Sequence, residues 1–183
     1  MVMLTDAVEW KIPDAKFRQS INKRWVSVII ESPVHAGSFG KFNDLFSYTA
    51  DYLESSEFGI NYESQKRFLW GLNVTFNTSH DYSQGKTGFM SALISNCDAR
   101  HSRRSEYIRH LKKYINVTVY GSCGIACPRD VDCREMVGFK YKFYFAYENS
   151  FCKDYITEKF FLMLKYDVIV VVFGAGNYSR FVK

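Results

Sequence analysis

Residues 143–176 read FYFAYENSFCKDYITEKFFLMLKYDVIVVVFGAG, and this stretch decides how the rest of the chain is interpreted. An aromatic run is followed by a polar loop, a helical pattern with a charged first turn, and an apolar run closed by glycines. That order predicts strand, loop, helix and strand, the repeating unit of an open parallel sheet. Apolar residues recur at helical spacing in the third part and should pack on the sheet: Ile156, Phe160, Met163 and Leu164.

The polar loop of this stretch, residues 148–150, falls where open parallel sheets bind ligands, beyond the carboxyl end of a strand. Tyr155, Glu158 and Lys159 follow at the start of the next helix, where backbone N–H groups point outwards and favour an anion. Glu158 and Lys159 lie off the apolar stripe of the helix and face the loop. The stretch is therefore a candidate site for a phosphorylated ligand.

A second strand–helix–strand pattern lies ahead of that stretch. Strands are predicted at residues 87–95 and 115–120. The helix between them begins at Ser102 or Arg103 and ends at Tyr114. Its apolar stripe consists of Tyr107, Ile108, Leu111 and Tyr114. Two such units in series favour a doubly wound α/β domain over an antiparallel fold.

The last two predicted strands, residues 143–147 and 168–173, flank the helix of the opening stretch. Residues 168–173 are apolar on both faces, which is typical of a central parallel strand. The Cys-rich residues 121–138 precede these strands, and we expect them to form a surface loop pinned by one local disulfide.

The N-terminal part of the chain offers one clear strand. Residues 24–30 are β-branched and aromatic and predict a buried strand that stops before Pro33. Glu31 is therefore a carboxylate at the carboxyl end of a strand, where it serves either as a rim charge or as a general base. Residues 1–23 lack periodicity and predict a partly loose lead-in. Short strands are candidates within residues 41–52 and 67–75, and residues 77–86 are typical of a linker or surface loop.

Composition and charge limit the function classes. The chain has 183 residues, of which 47% are hydrophobic and 23% charged, so it can bury a core. The net charge of +5 comes mainly from basic clusters, which form either a solvated helix face or an attraction for phosphates. These clusters include Arg100, Arg103, Arg104, Arg109, Lys112 and Lys113. A nucleic-acid-binding domain is disfavoured because no stacking or groove-binding motif accompanies them, and no apolar run is long enough to span a membrane.

Cysteines and glycosylation sequons favour an oxidising compartment. Five cysteines occur, at positions 97, 123, 127, 133 and 152. The spacings within residues 123–133 match no common zinc finger and leave no obvious fourth ligand, so a zinc module is disfavoured. Four Asn-x-Ser/Thr sequons begin at Asn73, Asn77, Asn116 and Asn177. Sequons and clustered cysteines together favour a secretory-pathway protein.

Three blocks of sequence resemble those of the α1,3-fucosyltransferases, glycosyltransferase family ten. FYFAYENSFCKDYITEKFF followed by LKYDVIVVVFGAGNYSRF is similar to the signature region of that family. SNCDARHSRRSEYIRHLKKYINVTVYGSCG is similar to the block before it, and RWVSVIIESPVH to the N-terminal catalytic block. The good matches cover residues 24–35 and about 87–181, and the Cys-rich insert most resembles invertebrate members.

The resemblance implies a GT-B fold, in which two Rossmann-like domains face a cleft and the C-terminal one holds the donor. Residues 1–85 would be a remnant of the N-terminal, acceptor-side domain. Residues 86–183 would be a partial C-terminal domain that binds GDP-fucose. The implied reaction moves fucose from GDP-fucose to a GlcNAc hydroxyl of a glycan, in α1,3 linkage and with inversion of the anomeric centre.

The resemblance also assigns roles to individual residues. Glu31 matches the proposed general base of the family. Donor contacts are carried over to four residues: Asn149, Tyr155, Glu158 and Lys159. The diphosphate-binding arginine falls on Arg104 when counted from the following strand and on Arg103 when counted from the preceding one. The register of the helix stripe favours Arg104.

The resemblance further implies substrates, partners and a location. No obligatory cofactor is implied, and a divalent cation would stimulate the reaction without being required. No Asp-x-Asp metal motif is recognised in the chain, so no obligatory protein-bound metal is predicted. The implied partners are GDP-fucose and a glycan acceptor on a glycoprotein or glycolipid, with no nucleic acid. The implied location is the luminal side of the Golgi apparatus, as in a type II membrane protein whose anchor is absent from this chain.

The chain departs from the family pattern in several places. The acceptor block is represented only by SYTADYLESSEFGINY, so no acceptor residue is carried across. Asp167 and Val170 stand where glycine and proline are common. The resemblance leaves parts of the family unmatched at both ends, and we expect a fragment that transfers fucose poorly or not at all. The alternative is an inactive nucleotide-sugar-binding or glycan-binding pseudoenzyme of the same fold.

Overall fold

The computed structural model describes residues 2–4, 24–36, 46–59 and 79–181. The chain divides into two compact units, Met1–Ser64 and Gln65–Lys183. Within the described residues, each unit contains a sheet of four parallel strands. The predicted α/β architecture with parallel sheets is therefore confirmed, whereas the acceptor-side and donor-side roles of the two parts stay predictions.

The described elements of the N-terminal unit are β1 Val2–Leu4, β2 Trp25–Ile29, helix α1 Pro33–Ala36, β3 Tyr48–Asp51 and β4 Phe58–Gly59. Its sheet follows chain order, β1-β2-β3-β4. β2 confirms the strand predicted over residues 24–30. Of the partly loose lead-in expected over residues 1–23, the structure describes only β1, a strand that pairs with β2, and residues 5–23 lie outside the described residues. The strand predicted at residues 67–75 lies outside the described residues.

The C-terminal unit begins with β5 Gly88–Leu93, α2 Arg104–Leu111, β6 Val117–Tyr120 and α3 Cys133–Lys140. It continues with β7 Tyr141–Tyr147, α4 Glu158–Phe161, β8 Ile169–Phe173 and a 3₁₀ helix, Tyr178–Arg180. Both predicted strand–helix–strand units are present, in sheet order β6-β5-β7-β8. The chain moves from β5 to β6 on one side and then returns to β7 on the other. The direction of winding therefore reverses between β5 and β7, and ligands of such sheets bind beyond the carboxyl ends of the strands at that point.

Side chains alternate across β7 and bury two layers of core, one on each face of the sheet. Phe145 and Tyr147 belong to a cluster that includes Ile108 of α2. Tyr144 and Ala146 belong to a second cluster, with Val137 of α3 and Met163 beyond α4. Of the four residues expected to pack on the sheet, Ile156, Phe160 and Met163 are buried, and Leu164 is half-buried.

β8 departs from the expectation of a central strand. In the described sheet it pairs with β7 alone and forms an edge. Ile169 and Phe173 are exposed although they are apolar, and Val170 and Val172 are packed against the second core cluster. The apolar composition of residues 168–173 therefore predicted a strand correctly, but it did not predict that the strand lies at the edge of the described sheet.

The Cys-rich segment is not the plain surface loop that its composition predicts. Its second half forms α3, whose first residue, Cys133, is bonded to Cys127. Asp132 caps this helix by accepting the N–H of Arg134 at 2.8 Å. The expected local disulfide is thus present, together with a second bridge, Cys97–Cys123, that ties the segment to the loop after β5.

α2 ends earlier than predicted, at Leu111, and its apolar stripe is only partly buried. Ile108 is buried, Tyr107 is partly exposed, and Tyr114 is 83% exposed. The backbone turns after Leu111, with the N–H groups of Tyr114 and Ile115 both donating to its carbonyl. Tyr114 thereby leaves the helical register, which removes the stripe as an argument for Arg104.

Candidate functional site

Arg104 joins the two loops that meet where the sheet reverses its winding. Its side chain is 1% exposed. Nη1 donates to the carbonyl of Tyr147 at 3.0 Å, at the end of β7, and Nη2 donates to the carbonyl of Asn96 at 2.6 Å, beyond β5. Nε has no hydrogen-bond partner among the described residues. Burial lowers the pKa of the guanidinium, and the nearby Glu148 carboxylate opposes that shift.

Arg103, the other candidate for the diphosphate contact, lies on the surface. Its backbone is left-handed, with φ of 53°, immediately before α2. Nε and Nη2 donate to the carboxylate of Glu106 at 2.7 and 2.8 Å. The structure therefore places Arg104, and not Arg103, against the loops of the candidate site.

Glu148 is the most enclosed charge of the site, and the sequence did not single it out for a role. It follows β7 directly, its N–H donates to the Phe173 carbonyl at 3.0 Å, and its side chain is fully buried. Thr157 donates to it twice, through the backbone N–H at 2.9 Å and the hydroxyl at 2.8 Å. Lys159 Nζ lies 3.6 Å from Oε2. Burial raises the pKa of this carboxyl, while Lys159 and the Thr157 bonds act in the opposite direction.

The start of α4 differs from the anion-binding helix end that the sequence predicts. The helix has four residues, so its macrodipole is short. The N–H of Thr157 is already donated to Glu148, and the N–H of Lys159 is directed at the Thr157 hydroxyl. Positive charge at this position therefore comes from the Lys159 ammonium more than from free backbone amides.

Lys159 and Glu158 lie side by side, as predicted. The Lys159 ammonium contacts Glu158 Oε1 at 3.1 Å and the Thr157 hydroxyl at 3.1 Å. Glu158 is partly open to solvent, whereas Lys159 is largely enclosed. One cation is thus held among two carboxylates and a hydroxyl, and Glu158 is the partner that solvent or a ligand can reach.

Asn149 and Tyr155 are both buried at this edge of the sheet. The Asn149 side-chain oxygen has no hydrogen-bond partner in the described part of the chain. Tyr155 precedes α4 rather than lying in it. A buried amide oxygen without a donor is uncommon in folded proteins and calls for a partner, such as water or a ligand.

The loop after β8 completes the surroundings of Glu148. A Cβ on Gly174 would meet the Tyr178 hydroxyl and, at 3.1 Å, Cγ of Glu148. A Cβ on Gly176 would collide with Ile156. Tyr178 buries its hydroxyl without a hydrogen-bond partner among the described residues. Tyr178 is thus a second site-lining residue that sequence reasoning missed. The sequence feature that could have indicated this close packing is the pair of glycines just before it, Gly174 and Gly176.

Glu31 belongs to the N-terminal unit. It follows β2 as predicted and is half-buried at the turn into α1, where the Ser32 carbonyl accepts N–H bonds from His35 and Ala36, both at 2.9 Å. The structure therefore groups Arg104, Asn149, Tyr155, Glu158 and Lys159 at one sheet edge of the C-terminal unit, and Glu31 at the corresponding end of a strand in the other unit.

No metal centre is found in the described ranges, where no three His, Cys, Asp or Glu side chains cluster. The chain does contain an Asp-x-Asp spacing, Asp130-Val131-Asp132, which corrects the expectation that this motif is absent. Asp132 is engaged as the cap of α3. Two of the three clustered cysteines pair with each other and the third pairs with Cys97, which leaves no thiolates for the zinc module.

Comparison with known families identifies the chain. The model of the C-terminal part of glycosyltransferase family 10 (fucosyltransferase) matches residues 83–183, which contain all the clustered residues of the site. The chain belongs to this family. It is similar to glycoprotein 3-alpha-L-fucosyltransferase A of Drosophila melanogaster, with 38% identity over 164 residues, covering 86% of this chain and 32% of the relative. It is also similar to GDP-fucose protein O-fucosyltransferase 3 of Xenopus tropicalis, with 29% identity over 180 residues, covering 87% of the chain and 37% of the relative.

The fold of this family 10 chain also matches a crystal structure of an α1,3-fucosyltransferase with GDP-fucose. The TM-score is 0.56 at 18% identity, over 85% of this chain and 54% of that one. The chain spans about a third of the length of the curated relatives named above. No helix in the described residues is long and apolar enough to cross a membrane.

Proposed function

We propose that this chain supplies the GDP-fucose site, and with Glu31 the catalytic base, of an inverting α1,3-fucosyltransferase that modifies a GlcNAc hydroxyl of a glycan. The observation that carries the proposal is the Lys159 ammonium, held at the carboxyl edge of the sheet by Thr157, Glu148 and Glu158. This cluster lies within the residues that match the family. We propose a GT-B fold for the enzyme.

Lys159 and Arg104 are proposed to stabilise the diphosphate as fucose leaves. Negative charge grows on the leaving phosphate as the bond between the fucose C1 and the phosphate oxygen breaks, and fixed cations there lower the barrier. Lys159 can exchange its contact with the solvent-accessible Glu158 for a phosphate oxygen while keeping its contact with Glu148. Arg104 keeps two bonds to the loops and has Nε unpaired among the described residues. Both residues are thus suited to an anion.

Polar groups around these cations are proposed to bind the sugar and the nucleoside. Glu158, once released from Lys159, can accept hydrogen bonds from sugar hydroxyls. The unpaired Asn149 oxygen would gain a donor from the same ligand, which removes the cost of its burial. Tyr155 is proposed to form part of the floor beneath the donor, since it is buried immediately before α4.

Glu31 is proposed as the general base that removes the proton of the acceptor hydroxyl as that oxygen attacks C1. Such a base contributes about 10²–10⁴-fold to a rate. The position supporting this role is the carboxyl end of β2, the equivalent end of a strand to the one that carries the donor site in the other unit. The acceptor is proposed to be GlcNAc. A protein hydroxyl is the competing acceptor, because a relative is named for protein O-fucosylation.

GDP binding tests the donor site directly. Calorimetric titration of GDP into the 183-residue chain is expected to give one site. Lys159→Ala is expected to weaken binding about 10–100-fold, because a charge-assisted bond is worth about 1.5–3 kcal/mol. Lys165→Ala is the matched control, since Lys165 is exposed and lies over the ring of Tyr166. Equal affinities of the parent and Lys159→Ala would contradict the assignment.

Turnover separates the enzyme from a pseudoenzyme that binds nucleotide sugar. Transfer of labelled fucose from GDP-fucose is measured on a GlcNAc-terminated glycan and on a folded protein acceptor. Where transfer occurs, Glu31→Gln is expected to lower kcat with little change in the KM for GDP-fucose. GDP-fucose binding without transfer to either acceptor favours the pseudoenzyme or a chain that lacks activity by itself.

The two disulfides support a secretory location, and we propose that the protein lies in the Golgi lumen.

A further inference from the structure

A sequon lies at the amino end of β6, the opposite end of that strand from the candidate site. It comprises Asn116, Val117 and Thr118. Asn116 is exposed, and its carbonyl accepts the N–H of Met90 at 3.3 Å, which fixes the backbone at the sequon. We infer that Asn116 carries an N-linked glycan and that the first GlcNAc packs on the ring of Tyr114.

The exposure of Tyr114 is the second observation behind this inference. At 83% it is the most exposed large apolar side chain in the described part of the protein. The turn after Leu111 fixes its position, because the N–H of Tyr114 donates to the Leu111 carbonyl at 3.0 Å and that of Ile115 at 3.1 Å. The ring therefore stands two residues before Asn116 with no protein packed on it among the described residues. The apolar C–H face of a pyranose is a suitable cover for an aromatic ring in that place, as ring faces favour positively polarised hydrogens.

The position of Asn116 leaves the candidate site open. β6 has four residues, so at about 3.3 Å per residue the sequon lies roughly 13 Å from the carboxyl edge of the sheet. β6 is also an edge strand of the described sheet. A glycan at its start would cover part of an edge that folded proteins otherwise protect from pairing with other chains.

Asn177, the other sequon asparagine in the described residues, lacks the features that favour a glycan at Asn116. Its side-chain oxygen accepts the Ser179 hydroxyl at 2.7 Å at the start of the 3₁₀ helix. It belongs to the loop that brings Tyr178 against Glu148, and the residue two places before it is Ala175 rather than an aromatic. Asn177 therefore serves as an internal comparison.

The modification is a group transfer with a defined balance. A lipid-linked oligosaccharide diphosphate in the secretory pathway supplies the glycan. The bond between the sugar C1 and the diphosphate oxygen breaks, a bond from C1 to the Asn116 Nδ2 forms, and the amide proton leaves with the lipid diphosphate. The disulfides Cys97–Cys123 and Cys127–Cys133 support passage through the oxidising compartment in which this transfer occurs.

Site mapping tests the modification on the unaltered chain. The full chain is expressed in animal cells behind a cleavable secretion signal, and the secreted protein is treated with N-glycosidase F in ¹⁸O-water, which marks each formerly glycosylated asparagine by mass. We expect the label at Asn116. Thr118→Ala and Asn116→Gln should lose this glycan and Thr118→Ser should keep it, whereas Asn177→Gln should leave it unchanged. An unlabelled Asn116 in the parent chain overturns the proposal, whatever the variants do.

Melting of trimmed forms tests the packing on Tyr114. One endoglycosidase leaves a single GlcNAc on Asn116, and N-glycosidase F leaves none. We expect the loss of the last GlcNAc to lower the Tm of the parent chain more than that of Tyr114→Ser, which keeps the sequon. The comparison forms a double-mutant cycle, so effects of the residual side chain at position 116 cancel. Equal losses in both proteins would overturn the contact with the ring. None of these outcomes depends on fucose transfer.

Discussion

Arg104 shows how one buried side chain can fix the sheet edge at which the candidate site lies. Its guanidinium bonds to the carbonyls of Tyr147 and Asn96, so it fixes the ends of two strands at the point where the sheet changes direction. A lysine has a single ammonium and cannot reproduce both bonds in one plane. The neighbouring Arg103 makes its paired contact on the surface.

We therefore expect Arg104→Lys to destabilise the protein much more than Arg103→Lys does. Arg104→Lys should lower the free energy of unfolding by about 1.5–3 kcal/mol, because a bond from a charged group to a buried carbonyl is lost. Arg103→Lys should change it by less than about 0.5 kcal/mol, as is usual for exposed pairs. Chemical denaturation measures both. A similar loss in the two variants would show that the buried bonds are not what distinguishes Arg104.

Glu148 gives the stability of the protein a specific pH dependence. Burial raises its pKa above the ordinary value of 4.5. The folded protein therefore binds this proton more tightly than the unfolded chain does. The corresponding stability is present below about pH 4.5 and is lost as pH rises through the raised pKa. Glu148→Gln does not titrate and retains an acceptor for the N–H of Thr157.

The Tm of Glu148→Gln, taken relative to the parent, should accordingly rise between pH 4.5 and pH 7. Thermal unfolding followed by circular dichroism across this range is the measurement, and the exposed Glu135→Gln is the control for a general charge effect. A difference that stays flat, or falls with pH, is incompatible with a carboxyl whose pKa is raised by burial.

Arg104, Glu158 and Lys159 could be predicted from the sequence, whereas Glu148 and Tyr178 could not. Glu158 and Lys159 stand out as polar residues in a recognisable motif at the start of a helical pattern. Glu148 and Tyr178 matter because of burial, and burial arises from the packing of β7, α4 and the loop after β8. Local sequence does not predict which carboxylate will be buried.

At the scale of elements, periodicity predicted the type of each long element better than its limits. β5, β7 and β8 lie within one or two residues of their predicted ranges. α4 is shorter than its pattern, because its cap, Thr157, lies two residues after Tyr155 and the chain changes to turns after Phe161. α3 was not predicted because the cysteines, proline and aspartates of this segment are typical of a loop. The short helix is stabilised by a disulfide and by the cap at its start.

The two disulfides are expected to stabilise their elements unequally. Cys97 and Cys123 are 26 residues apart, whereas Cys127 and Cys133 are 6 apart. Loop-closure entropy then gives about 3.5 kcal/mol for the first bridge and about 2.2 kcal/mol for the second. We expect the double variant Cys97→Ser/Cys123→Ser to lose more stability than Cys127→Ser/Cys133→Ser in urea denaturation. The reverse order would mean that the capped start of α3, rather than chain entropy, dominates.

At the scale of the whole molecule, the fold places the candidate residues by topology. A parallel sheet directs every strand the same way, so the loops after β5, β7 and β8 gather at one edge although they are far apart in sequence. The C-terminal unit contains the complete set of proposed donor contacts, and the proposed base lies in the N-terminal unit. Donor binding should therefore leave a mark confined to one unit.

Hydrogen exchange with GDP present tests that confinement. A ligand at about 100 times its Kd stabilises the bound state by about 2.7 kcal/mol, which slows exchange about a hundredfold wherever opening requires its release. We expect slower exchange in residues 94–103 and 148–161, because the ligand would bridge the loops that Arg104 joins. Exchange in β2 and β3, and in the turn before Asn116, should be unchanged. Lys159→Ala should abolish the protection, and a pyrimidine diphosphate serves as a control for recognition of the base. Protection centred on residues 121–138 would place the nucleotide elsewhere, because none of the proposed donor contacts lies in that segment.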